Sequence, residues 1–418
     1  MGAPWRSGSS FSFRKLAIGV LLFNASGGIL YAILPLFEFE RPGGGAFLAT
    51  LIVGVPLIAS TLGTFFWGAL SDHWGRRREL LATGVLAQSV LFLLFPFLTP
   101  WGLLSVRILQ AFLGSSVALA TAVATEDPSR TAGSGLGSLS LWGSLGSVVG
   151  TAAGLPFITV PQFTLHSTSA MLLFVLLGAF SAVSVLFLLG TGELPRRRSM
   201  VRRKDLLHFR DGRTILLLCV ATAVVGGANY VVYTLFPLWV RWELAPQHFW
   251  GPAVSATEDL AILSIGASMG GVLVSLWAGR AAEDGRDRRW LYVVAPVLYC
   301  LLWLGLAFIH YYPVDFLIWA VPGYVLLSIP ILREIAGRTD PEERGRAVGL
   351  WNASFSSGGL VGTLVAGLAY SGPPSFARLF VLAAAVDLAA SVGFVSIPTS
   401  GSGSQGTAAG PATPPQDA

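Results

Sequence analysis

Long apolar runs, separated by short polar or basic stretches, recur along nearly the whole chain. Twelve can be marked: Leu16–Phe37, Ala46–Leu70, Leu80–Leu98, Leu103–Ala124, Gly135–Val160, Ala170–Leu189, Ile215–Trp239, Leu260–Gly279, Leu291–Ile309, Phe316–Leu332, Ala347–Tyr370 and Leu379–Ile397. A helix needs roughly 17 to 25 apolar residues to cross a bilayer. The runs are long and continuous rather than short and alternating, so helices are predicted and a membrane barrel is not. The pattern describes an all-α membrane protein with twelve transmembrane helices in two six-helix bundles. Residues 1–192 make the first bundle, 193–212 a basic linker, 213–398 the second bundle, and 399–418 a Gly, Ser, Ala and Pro tail expected to be disordered.

The two halves echo each other. Tyr31 and Pro35 near the end of the first run are answered by Tyr233 and Pro237 in the seventh, each after a Gly pair. Trp67 and Gly75 recur as Trp277 and Gly285, Glu126 as Glu334, and Arg130 as Arg344. Duplicated six-helix halves with a site between them near mid-membrane are an architecture of secondary transporters, which predicts pseudo-symmetry here.

Composition narrows the class. The chain is 53% hydrophobic and 12% charged, outside the range of a soluble globular surface. A net charge of +5 raises the question of a nucleic-acid partner, and the placement of the basic residues answers it. With both termini inside, nearly all arginines and lysines fall on the cytoplasmic side, leaving Arg41, Arg241 and Arg378 outside and Arg107 within a run. That asymmetry reports topology, so the expected location is the cytoplasmic membrane, with no nucleic-acid partner. Cys219 and Cys300 lie in separate runs, and the five histidines are scattered with no ligand spacing. No disulfide, metal, cofactor or enzyme chemistry is therefore expected.

One charged cluster stands out. Gly68-Ala-Leu-Ser-Asp72-His-Trp-Gly75-Arg76-Arg77-Arg78 follows directly on the second run. Gly68 permits close helix approach, and Gly75 permits a tight reversal. Asp72 sits at a helix end, where its carboxylate can accept from a guanidinium such as Arg76 or from amides at a neighbouring helix N-terminus.

These residues resemble the GxLxDxxGRR signature of the major facilitator superfamily, and Arg107-Ile-Leu-Gln110 resembles its RxxQ pattern, with Ala111 where the family usually has Gly. The resemblance extends over the whole chain and includes the drug-efflux-like branch. It implies alternating access, a small-molecule cargo and a coupling proton or cation, in a chain acting as a monomer among membrane lipids. It also implies a cytoplasmic clasp made by Gly68, Asp72, Gly75, Arg76, Arg77 and Glu126. The fuller exchanger pattern of the fifth run is interrupted, with Thr151 and Leu155 where Pro and Gly would stand.

Further candidates are polar groups at membrane depth, each of which needs a reason to be there. Arg107 is either a tether between helices or a cavity cation. Asp387 is the carboxylate well inside a run, serving as a proton carrier or as a structural hydrogen-bond acceptor. Asn24, Tyr31, Gln110, Asn229, Tyr230, Tyr233 and Tyr324 belong to runs that the resemblance assigns to a cavity, where polar tips on aromatic bodies suit an amphiphilic cargo. Gly146, Gly150 and Gly154 in the fifth run, and Gly358 and Gly362 in the eleventh, form small faces for close packing. The family places these runs at the contact between halves. Efflux of drug-like molecules is the leading expectation, import of a sugar-like or other polar metabolite the alternative, and a non-transporting sensor or scaffold the other class. No phosphate-cradling GxxxxGK[ST] loop is present.

Overall fold

The computed structural model describes residues 11–40, 45–126, 132–159, 167–192, 211–251, 255–281, 289–321, 323–339, 344–373 and 375–397. Most of the linker and the whole tail expected from the sequence lie outside the described residues. Within them the chain forms α1 (Phe13–Glu40), α2 (Ala46–Trp74), α3 (Arg77–Phe92), α4 (Pro100–Gly114), α5 (Ala118–Glu126), α6 (Ala132–Ile158), α7 (Thr168–Leu189), α8 (Gly212–Trp239), α9 (Ala256–Ala281), α10 (Arg289–Phe308), α11 (Tyr312–Trp319), α12 (Gly323–Arg338), α13 (Arg344–Ala369) and α14 (Ser375–Val395).

Two crossings expected to be continuous are broken, and both breaks fall at equivalent places in the two halves. The fourth runs as α4, a 3-10 turn at Ser115–Val117, and α5, yet remains one apolar stretch from Pro100 to Ala124. The tenth is built from α11 and α12, which both pack against α9 and α10. Irregular backbone at membrane depth survives only where its polar groups are satisfied. At the first break the Phe112 carbonyl accepts from Ser115 Oγ at 2.7 Å and from the Trp67 indole of α2 at 3.0 Å. Gly63 of α2 and Gly84 of α3 close around the same turn, where an added methyl would overlap the Phe112 and Leu113 carbonyls. The seventh crossing runs past its expected end at Trp239 into a π turn, Val240–Leu244, and a 3-10 turn, Ala245–Gln247.

The helix neighbours repeat between the halves. α1 packs on α6 as α8 packs on α13, and α3 on α7 as α10 on α14. Across the halves, α2 lies along α13 and α6 along α9, which is the relation a pseudo-twofold axis generates. Lipid tails are as apolar as the helices, so close van der Waals packing and interhelical hydrogen bonds hold such a bundle together. α14 shows the consequence: Phe380, Ala383, Ala384 and Phe394 are buried inward, while Leu382, Leu388 and Val392 face out.

The glycine faces of α6 and α13 do not lie between the halves. A methyl on Gly146 or Gly150 would strike the Leu21 or Ala25 carbonyl of α1, and one on Gly358 or Gly362 the Ala223 or Gly227 carbonyl of α8. They therefore join helices within each bundle; Gly154 is buried on the same helix as Gly146 and Gly150. Contacts between halves use other small residues: Gly54 against Thr363, Gly367 against Thr50, and Gly271 against Ser144. Ser275 adds a hydrogen bond to Ser140 at 3.1 Å. Residue spacing alone reveals a small face but not which of two neighbouring helices it meets.

Candidate transport site

The loop after α2 takes its shape from one glycine. Gly75 has φ +68°, and its N–H donates to the Ser71 carbonyl at 2.8 Å, which caps the helix in the left-handed region where a side chain is disfavoured. Arg76 follows, 3.4 Å from Glu79 in the first turn of α3; Arg78 lies 3.9 Å from the same carboxylate. Glu79 was not singled out by the sequence pattern, although its position three residues after Arg76 on a helix is a readable signal. Arg77 is half-buried beside them. Among the described residues, nothing lies within 4 Å of where a side chain on Gly68 would point. The side chains of Tyr31, Asp72, Glu126 and Tyr324 fall outside the described part of the structure.

The second half carries an ordered ion cluster at the corresponding end of its tenth crossing. Arg338 Nε lies 2.6 Å from Glu334 Oε1, and Arg338 Nη1 pairs with Asp211, the residue just before α8. Burial raises the Asp211 carboxyl, but hydrogen bonds from Thr214 and Arg338 and the Arg338 charge outweigh it, leaving the group below its ordinary value. Arg338 is correspondingly held above its own, although burial opposes its charge.

In the first bundle Arg107 is buried in α4, and its Nη1 donates to Gln110 Oε1, one turn along the same helix. The two halves of the RxxQ pattern thus answer each other, while the Gln110 amide nitrogen has no hydrogen-bond partner. Asn24 donates to the Val20 carbonyl of its own helix at 2.8 Å and faces Gly143 of α6.

A cavity of about 230 Å³ opens between α2, the broken fourth crossing and α13. Hydroxyl and amide groups of Ser60, Thr61, Thr64, Ser115, Thr121, Asn352 and Ser356 line it together with the apolar Val117 and Ala118, and none of these side chains carries a formal charge. Sequence reading passed over these residues because Ser and Thr at helical spacing also occur wherever helices pack closely.

The second bundle holds an aromatic block. Tyr233 of α8 packs edge-on against Trp303 of α10 at 6.1 Å and Trp319 of α11 at 5.2 Å, while Trp303 stacks on Tyr299 at 5.3 Å. Tyr233 remains 38% exposed although rings from three helices pack around it. Asn229, one turn before Tyr233 on the same helix, is fully buried in this conformation and donates to the Val225 carbonyl at 2.9 Å. Tyr230 turns toward Phe355 of α13, at 5.9 Å. Behind the block Asp387 is fully buried; Trp303 Nε1 donates to its Oδ2 at 2.9 Å, and Oδ1 has no partner.

Two further buried carboxylates, Asp259 and Asp315, belong to the same bundle. They escaped notice because each stands in the first turn of its helix, where acids are ordinary capping residues.

A family model described as Major Facilitator Superfamily matches residues 16–329. Multidrug resistance protein MdtG of Citrobacter koseri is 27% identical over 397 residues, covering 89% of this chain and 91% of its own length. The protein of the same name from Salmonella arizonae gives the same identity and coverage. Among solved structures, the human organic anion transporter MFSD10 aligns with TM-score 0.68 at 15% identity, over 91% of this chain and 98% of its own. Nucleoside transporter NupG aligns with TM-score 0.66 at 14% identity, over 92% and 98%.

Proposed function

The chain belongs to the Major Facilitator Superfamily and is a membrane transporter of small molecules, and we propose that its cargo is drug-like and amphiphilic, expelled from the cell at the expense of a proton or cation gradient. The observation that carries this reading is the aromatic block of Tyr233, Trp303 and Trp319, in which the Tyr233 ring is partly exposed and the Asp387 carboxyl lies behind Trp303. Flat polarizable faces bind hydrophobic cargo of varied shape, and a carboxyl set behind them favours a positive charge. Near-full-length similarity to proteins named for multidrug resistance supports the same direction.

In this reading both termini are cytoplasmic, following the arginine asymmetry, and the protein acts as a monomer. Gly68, Asp72, Gly75, Arg76, Arg77 and Glu126 form a clasp that holds the inner side closed when the cavity faces outward. Arg107 and Gln110, together with Asn24 and Tyr31, line the first-bundle side of the path; Asn229, Tyr230, Tyr233, Tyr324 and Asp387 serve the second. Gly146, Gly150, Gly154, Gly358 and Gly362 keep each bundle rigid, so that motion falls at the contacts between them.

One observation favours the alternative, a proton-coupled importer of a polar metabolite: the uncharged hydroxyl and amide groups that share the lining of the 230 Å³ cavity suit a cargo with hydrogen-bonding groups. Purified protein in right-side-out proteoliposomes separates the two. Preloaded ethidium is expelled under an inward proton gradient if efflux is correct. Gradient-driven accumulation of a nucleoside, with no movement of ethidium, supports import instead.

A further inference from the structure

The buried charges of this protein are divided unevenly. Among the described residues of the first bundle the buried charged side chain is Arg107, whereas the second bundle buries Asp259, Asp315, Glu334 and Asp387. Glu334 is neutralised by Arg338. Asp315 and Asp387 are both fully buried, and no ion pair to either is found among the described residues. Among the described residues no side chain donates to either oxygen of Asp315, and the Trp303 indole is the donor found for Asp387. An unpaired carboxylate in such surroundings is strongly disfavoured, as any uncompensated buried charge is, and a proton is the neutralising partner that needs no room.

Each carboxyl stands one layer behind an exposed tyrosine. Asp315 lies in the first turn of α11, where its backbone N–H bonds the carbonyl of Tyr311, a residue 57% exposed at the bundle end. Asp387 lies behind the partly exposed Tyr233, linked to it by Trp303, whose ring packs on Tyr233 at 6.1 Å and whose indole donates to the carboxyl. Between them stands an aromatic plug. Trp319 is one turn from Asp315 on the same helix and so shares its face; it packs 6.4 Å from Trp303, whose indole holds Asp387. Titratable groups facing these sites are Asp259, Tyr312 and His248 around the start of α11, and Tyr233, Tyr299 and Cys300 around Asp387.

We infer that Asp315 and Asp387 are the two proton-binding stations of the transport cycle, Asp315 exchanging with the outer surface past Tyr311 and Asp387 with the interior past Tyr233. A proton from outer solvent binds an Asp315 carboxylate oxygen. It passes to Asp387 over water admitted when Trp319 and Trp303 part, each O–H bond breaking as the next one forms along the water file, and leaves Asp387 for interior water. The path lies wholly in the second bundle, so that a change in charge at Asp387 acts on the buried Trp303 indole bonded to it and, through the ring contact, on the partly exposed Tyr233. The inference rests on the transport reading but not on the direction or cargo proposed above.

The test reads the carboxyl groups themselves. Infrared difference spectra of the purified full chain in lipid, taken from mildly acidic to alkaline pH, are expected to show the carbonyl stretch of protonated buried carboxyls disappearing in two steps. Asp315→Asn removes one step and Asp387→Asn the other. A wild-type spectrum with no titrating buried carboxyl band overturns the inference without recourse to variants, as does a band that both single variants and the double variant retain. In the ethidium assay, Asp387→Asn is expected to lose gradient-driven expulsion; expulsion that keeps its full dependence on the proton gradient overturns the role of Asp387. Failure of wild type to move ethidium in either direction counts against the efflux reading alone, since the infrared result decides the proton stations independently.

Discussion

The Trp303 indole nitrogen lies 2.9 Å from Oδ2 of Asp387 and ties α10 to α14 inside the second bundle. Because Oδ1 has no partner, this is the hydrogen bond that satisfies the carboxyl. Trp303→Phe is expected to lower stability by about 1–3 kcal/mol, the cost of leaving a buried polar group unsatisfied. Adding Asp387→Leu should recover much of that loss, since removing both partners leaves nothing unpaired. Melting temperatures of the two singles and the double, combined as a thermodynamic cycle, check it; purely additive losses would mean that the pair is not coupled.

Gly150 and Gly68 predict opposite responses to a methyl group. Gly150→Ala places a carbon on the Ala25 carbonyl of α1, so the helices must separate. Overpacking of this kind costs about 1–3 kcal/mol. Gly68→Ala meets open space, and Ala is favoured over Gly in a helix by up to about 1 kcal/mol, so stability should hold or rise. Thermal unfolding followed by light scattering distinguishes the two. If Gly68→Ala also slows transport, its glycine is needed in another conformation of the cycle.

The Arg338 cluster predicts both a mutational and a pH effect. Arg338→Ala leaves Glu334 buried without its cation, expected to cost about 3–5 kcal/mol. The folded Asp211 carboxyl is held below 3.8, so its contribution to stability is present above that value and is lost as pH falls through the lower, folded one. Wild type should therefore show a steeper acid loss of melting temperature below about pH 4 than Asp211→Asn does. Parallel acid profiles for the two proteins would remove Asp211 from the account.

For the inner clasp, Asp72→Asn should shift the protein toward the inward-open form and slow net transport. Single-cysteine labelling along the inner half of α2 measures the shift. Unchanged labelling together with unchanged flux would leave the arginines of this loop with a topological role alone. The same labelling at Arg76→Cys, applied to sealed cells, reports orientation: protection from an impermeant reagent is the expected result.

What the chain determines by itself is whatever depends on local period and on solvent. Apolar length decides which segments enter the membrane, arginine placement predicts their direction, and Gly75 marks a left-handed cap that few other residues tolerate. The Gly68 to Arg78 motif and the echo between halves were enough to point to the family, because both are written in consecutive or evenly repeated residues. Tertiary structure alone decided which neighbour each face meets. Gly150 and Gly362 read as small in the sequence, but only packing shows that they press on α1 and α8 rather than on the other half. Only packing, likewise, distinguishes Asp315, buried with no side-chain donor, from an ordinary helix-capping acid, and only packing joins Trp303 to Asp387 across 84 positions of chain. Burial and partnership are properties of several helices at once, so no single segment carries them.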